Sequence, residues 1–210
     1  MLHDLHDLLG SRVDASDGEM GNIRNFLFDD RSWRIRYLVV DVGRLLNRQE
    51  VVLAVSFFEK PNWANQSCQV RYTKKQVSNS PDVDSQMPVS RQQEIAMRDY
   101  FAGEQFWIDA GLGEGPPIRP GADLPVNSEE EDPHLRSVVD LSSYEVWASD
   151  GEIGHLHGFV MDEVTWHLGY LDVRAGRWLC HRSVLIPTRL VESISYTGRR
   201  IRLQHTRDGI

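Results

Sequence analysis

Asp14-Ala-Ser-Asp-Gly-Glu-Met-Gly21, near the start of the chain, returns as Trp147-Ala-Ser-Asp-Gly-Glu-Ile-Gly154 in its second half. The offset of 133 residues holds without a gap over positions 7–59. Phe26 falls on Phe159, Asp29 on Asp162, Trp33 on Trp166, Tyr37-Leu38 on Tyr170-Leu171, Gly43-Arg44 on Gly176-Arg177, Leu46 on Leu179, Val51 on Val184 and Glu59 on Glu192. Twenty of those 53 positions are identical. Self-similarity at a fixed spacing marks a duplicated folding unit, so the 210 residues read as two small copies rather than one large domain.

Within a copy, Asp17-Gly18 and Asp150-Gly151 are turn dipeptides between strand-forming residues, the signature of a tight hairpin. The strand that follows, 20–28 or 153–161, breaks strict alternation between Ile23 and Phe26 and between Leu156 and Phe159, which predicts a β-bulge near Asn25 and Gly158. The next strand, 35–42, is apolar on both faces. Its counterpart carries Asp172 and Arg174 on one face, so Leu171 and Val173, and with them Leu38 and Val40, are expected in the core. Further strands at 50–55 and 67–72, and at 183–187 and 200–204, give five per copy. Short strands with frequent turns predict a mainly β protein of two small closed antiparallel barrels in tandem, because closure hides the edges of so small a sheet.

The copies, residues 1–80 and 134–210, flank a segment of different character at 81–133. A short helix is expected from Thr73 to Asn79, with Thr73 as N-cap and Pro81 as stop, and a longer one at about 90–102 beginning at Ser90. Residues 111–133 then hold five of the nine prolines, four glycines, six acidic and one basic residue, the composition of an extended acidic linker. Much of the net charge of −8 lies there.

These motifs resemble the PRC-barrel family, named for the cytoplasmic domain of the photosynthetic reaction-centre H chain and found also in a ribosome maturation factor. The resemblance is carried by Asp150-Gly-Glu-Ile-Gly-His155, Trp33 and Arg36-Tyr-Leu-Val-Val-Asp41, and between the copies by Asn79-Ser-Pro81, Tyr100-Phe-Ala-Gly103, Trp107 and Asp132-Pro-His-Leu-Arg-Ser137. It implies the barrel fold and a bacterial protein, and it brings no catalytic signature with it. The first copy departs from the pattern in having Asn22 where the second has His155.

Candidate chemistry is sparse. His155 and His157 lie two apart on a strand, the spacing by which a hairpin offers two metal ligands, but no third ligand stands nearby and the first copy has Asn22 and Arg24 there. Asp17/Glu19 and Asp150/Glu152 straddle the turn glycines, where turn chemistry accounts for them. Cys68 reads as a small buried hydrophobe, and Cys180, between Leu179 and His181, as a thiol that could react. No nucleophile elbow, phosphate loop or zinc-protease helix is present. Trp33, Trp166, Tyr37 and Tyr170 recur and are assigned to hairpin packing, whereas Trp63, Trp107, Trp147 and Trp178 have no counterpart.

From Arg174 onward eight arginines face two acidic residues, while residues 134–173 run the other way, which predicts ion pairing within the second copy and a dipolar surface. Tyr100, Phe101, Trp107, Arg199, Arg200 and Arg202 are the candidate interaction residues. The expectation is a non-enzymatic, cytoplasmic protein-interaction adaptor with no cofactor, no membrane span, no nucleic-acid partner and possible homodimerisation. The alternatives are a small-ligand or metal-binding regulatory barrel using His155 and His157, and, by family analogy, a reaction-centre-associated or ribosome-assembly role.

Overall fold

The computed structural model describes residues 1–42, 50–78, 135–175 and 182–209. The first half supplies β1 (Leu2–Asp4), β2 (Arg12–Ala15), β3 (Gly18–Asp29), β4 (Arg34–Asp41), β5 (Glu50–Ala54) and β6 (Ser67–Gln69). The second supplies β7 (Leu135–Ser137), β8 (Glu145–Ala148), β9 (Gly151–Asp162), β10 (His167–Ala175), β11 (Arg182–Pro187), β12 (Val191–Ser195) and β13 (Arg200–Leu203). Among the described residues these thirteen strands join in one sheet.

The repeated motif folds alike in both halves. Ala15 pairs with Gly18 and Ala148 with Gly151, so two-residue turns close the hairpins, with the glycines at φ +121° and +152°. Gly21 and Gly154 are fixed by close approach. A Cβ on Gly21 would lie 1.9 Å from the Asp41 carbonyl oxygen, and one on Gly154 2.1 Å from that of Arg174, so only glycine lets the long strand pass its neighbour. The register shifts between Ile23 and Asn25, and equivalently between Leu156 and Gly158, placing the bulges at Arg24 and His157, one residue before the expected positions.

Each half runs in the spatial order β6-β2-β3-β4-β5 and β13-β8-β9-β10-β11, with β12 outside β13. The structure corrects the expectation of wholly antiparallel strands. β6 pairs with β2 in parallel, and β13 with β8 likewise, because the chain returns past a corner before laying its last strand beside its first. The path through the sheet has ends at β12 and β6 and does not close on itself among the described strands. A helix over Lys74–Ser78 (α1) follows β6. The Thr73 N–H and hydroxyl both donate to Gln76 Oε1, and the Gln76 N–H reaches back to Thr73 Oγ1, a capping box. The helix expected at about 90–102 and the acidic linker lie outside the described residues.

Leu38, Val40, Leu171 and Val173 are fully buried, as the comparison of the two copies predicts. They belong to one core that runs through both halves, where Phe28 meets Trp33 and Phe159 at 5.5 Å each. Each such side chain contributes roughly 1.5–3 kcal/mol by leaving water. On the opposite face of β3, β4 and β5, Leu27, Tyr37, Val39 and Val52 form a smaller cluster with Leu135 of β7. In the second half Asp172 takes the place of Val39. It is buried there rather than exposed, and accepts a hydrogen bond from the Ser183 hydroxyl.

Candidate interaction surface

The halves meet by exchanging strands. β1 pairs with β9, Leu2 opposite Asp162 and Asp4 opposite Val160, and β7 pairs with β3, Leu135 opposite Asp29 and Ser137 opposite Leu27. Adding 133 to each β1 number and subtracting 133 from each β9 number gives the β7–β3 pairing, so the exchange is reciprocal. The sheets join where Arg34 faces His167, also 133 apart. On either side, the Ile35 N–H donates to the Trp166 carbonyl (2.9 Å) and the Leu168 N–H to the Trp33 carbonyl (2.7 Å). Both tryptophans are buried and hold φ near +55°. Asp29 and Asp162 support that strained turn. Each carboxylate accepts two backbone N–H groups and one hydroxyl, from Arg31 and Ser32 and from Val164 and Thr165 respectively. Thr165 is the chief cause that the Asp162 carboxyl is held down at about 2. At Asp29 burial opposes ionisation, and the bonds from Ser32 and Arg31 outweigh it and lower the pKa.

Side chains clasp the exchanged strands. Asn25 donates to the Ser137 hydroxyl (2.8 Å) and accepts from the Val139 N–H (3.1 Å). Arg136 pairs with Asp30 and lies 4.3 Å over the Tyr196 ring. At the equivalent place His3 meets Glu163 at 3.1 Å and stacks on Trp63 at 3.9 Å. Trp63 therefore does have a counterpart, Tyr196, which the sequence comparison missed because the residue types differ. The Lys60 ammonium, 2.7 Å from Glu163, is the main cause that holds that carboxyl low.

Against this shared frame, one surface belongs to the second half alone. On the outer face of β8 and β13, the Trp147 indole N–H donates to Glu145 (2.9 Å), and Arg200 pairs with the same oxygen (2.9 Å) while lying 4.3 Å over the indole. The indole bond and then Arg200 keep the Glu145 carboxyl below its ordinary range. Arg199 lies 4.9 Å over Tyr144, whose hydroxyl is pushed up to about 12 by burial and by its bond to Asp140. Arg202 is exposed and has no partner among the described residues. Trp147, Glu192, Arg200, Arg202 and Leu203 line a cavity of about 400 Å³. The equivalent positions Asp14, Ser67 and Gln69 offer neither indole nor guanidinium.

Of the other candidates, His155 is exposed, 3.9 Å from Glu152, and His157 lies 2.7 Å from Arg174, so the pair is not brought onto a common ligand. No group of three or more His, Cys, Asp or Glu that could hold a metal occurs among the described residues. Asp17 and Asp150 accept the N–H groups of Lys74 and Arg207, tying each hairpin to the end of its half, a role beyond the turn itself. Cys68 is buried, and burial pushes its thiol up to about 12. Tyr100, Phe101, Trp107, Trp178 and Cys180 lie outside the described residues. No protein-family model matches this sequence, and no curated protein is similar enough to it to count as a relative. No helix among the described residues is long and apolar enough to cross a membrane.

Proposed function

We propose that this chain is a non-enzymatic protein-interaction adaptor of the PRC-barrel type, with two small barrels in tandem bound into one scaffold. The observation that carries this reading is the contrast between frame and surface. Turns, bulges, caps and strand exchange repeat at an offset of 133 residues, whereas Trp147, Arg199, Arg200 and Arg202 form a surface in one half only. Duplication of a frame followed by divergence of one exposed face is what a binding role demands, since catalysis would need a desolvated constellation of polar groups instead. The barrel reading is supported by the parallel return of β6 to β2 and of β13 to β8, which curls each half toward closure. A cytoplasmic location and a bacterial source belong to the same proposal.

The test is a pull-down with tagged full-length protein under native conditions, with metal analysis of the same preparation. A stoichiometric protein partner, lost on the double substitution R200E/R202E, is the expected result. Turnover of a small molecule or a stoichiometric metal, with no partner retained, contradicts it.

A further inference from the structure

The two halves end in equivalent hairpins that treat their outer edge differently. In the first, Asn62 and Ser67 exchange backbone hydrogen bonds of 2.8 and 3.1 Å, and their equivalents in the second are Ser195 and Arg200, which face each other in the β12–β13 register. The residue before the first pair member then turns its N–H and C=O away from the hairpin. In the first half that residue is Pro61, which has no N–H, and Lys60 beside it is committed to Glu163. Proline and lysine are the usual means of blunting a sheet edge. In the second half the same two positions are Ile194 and Ser193, and they belong to the five-residue β12 at the end of the sheet path. Among the described residues, the edge that the first half blocks is left open in the second.

The open stretch is short, because the register shift between Val191 and Ser193 limits regular pairing to about Ser193–Ser195. Main-chain bonds alone therefore hold little, and side chains must supply the remainder. Those at hand are the exposed Arg202 guanidinium, which has no partner among the described residues, and the Arg200 guanidinium, which stacks on Trp147 and is shared with Glu145. Arg202 faces Ser193 across the hairpin and Arg200 faces Ser195, so both stand on one face of the sheet, one strand in from the β12 edge, with the small Ser193 and Ser195 between them and an added strand. Among residues 182–209 six arginines stand against Glu192 and Asp208.

We infer that the β12 edge, with Trp147, Arg200 and Arg202, is the docking site for an extended acidic segment of a partner protein, which adds as a strand beside Ile194 and places carboxylates on Arg202 and Arg200. This rests on the adaptor reading and deepens it. The two observations behind it are independent, since an open edge recruits any strand and the arginines select acidic ones.

The test uses the full-length protein and a fluorescein-labelled decapeptide of alternating threonine and glutamate, read by anisotropy at low salt. Three controls accompany it: the same peptide with lysine for glutamate, the same peptide N-methylated at alternate residues, and a ten-residue thymidine oligonucleotide. Saturable binding of the glutamate peptide alone is expected, with protection of the Ile194 amide from hydrogen exchange. Ile194→Pro restores the blocked edge of the first half and is expected to weaken binding at least about tenfold, as is R202E. R202E leaves the buried structure untouched and decides the matter if I194P fails to fold. Failure of the glutamate peptide to bind, equal binding of the N-methylated peptide, or preference for the oligonucleotide overturns the inference. A native pull-down partner that is retained equally by R202E and I194P overturns the inference while leaving the adaptor reading intact.

Discussion

His3 and Arg136 hold the same place on the two exchanged strands, each reaching a carboxylate of the opposite half while its planar side chain lies on an aromatic ring. His3 meets Glu163 and stacks on Trp63, and Arg136 meets Asp30 and covers Tyr196. One clasp is made by a permanently charged guanidinium that is largely buried. The other is made by an imidazole helped by Lys60 and the amino terminus. The joint is thus symmetric in backbone and unequal in charge.

Arg136→Ala should cost about 2 kcal/mol, between the small value of an exposed pair and the larger one of a fully buried pair, because Asp30 is left poorly solvated. His3→Ala should cost less, since Lys60 still neutralises Glu163. Urea unfolding of both variants gives the comparison, and a larger loss for His3→Ala would contradict it.

The glycines of the repeated motif make a sharper test. Gly21→Ala and Gly154→Ala each force a methyl group against a backbone carbonyl and should destabilise by about 3 kcal/mol or more. Gly158→Ala meets nothing nearer than the Asp4 carboxylate at 3.7 Å and should be tolerated within about 0.5 kcal/mol. Thermal melts of the three variants check the ranking.

Acid should act through the turn carboxylates. Asp162 titrates at about 2 when folded, against an ordinary value of 3.8, so its contribution is fully present above about pH 4 and is lost as the pH falls through about 2. Asp162→Asn should therefore lower the melting temperature at neutral pH and converge on the parent protein toward pH 2. A difference independent of pH would show that the ionised carboxylate is not what supports the turn.

The repeat was legible because its turn and core residues are constrained by backbone geometry: glycines where a carbonyl approaches, aspartates that cap turns, and Leu38 and Val40 set by comparison with Leu171 and Val173. The strand exchange was not legible. β1 and β7 are three residues long, and Leu2 with Leu135 is the one identity in them, too little to mark strands whose partners lie about 160 residues away for β1 and about 110 for β7. Trp63 and Tyr196 escaped notice for a related reason, since the role they share is to offer a ring and not a particular side chain. The arginines were visible as a charge excess, but sequence alone did not place Arg200 on Trp147, which needs the parallel β8–β13 pairing.

Reciprocal strand exchange makes the two halves one scaffold, and equilibrium unfolding of the full-length chain tests this most directly. Tryptophan fluorescence and far-ultraviolet circular dichroism, followed in urea on the parent protein and on Arg136→Ala, should give coincident single transitions, with the variant shifted as a whole. Two separated transitions in the parent protein, with Arg136→Ala moving only one of them, would contradict it.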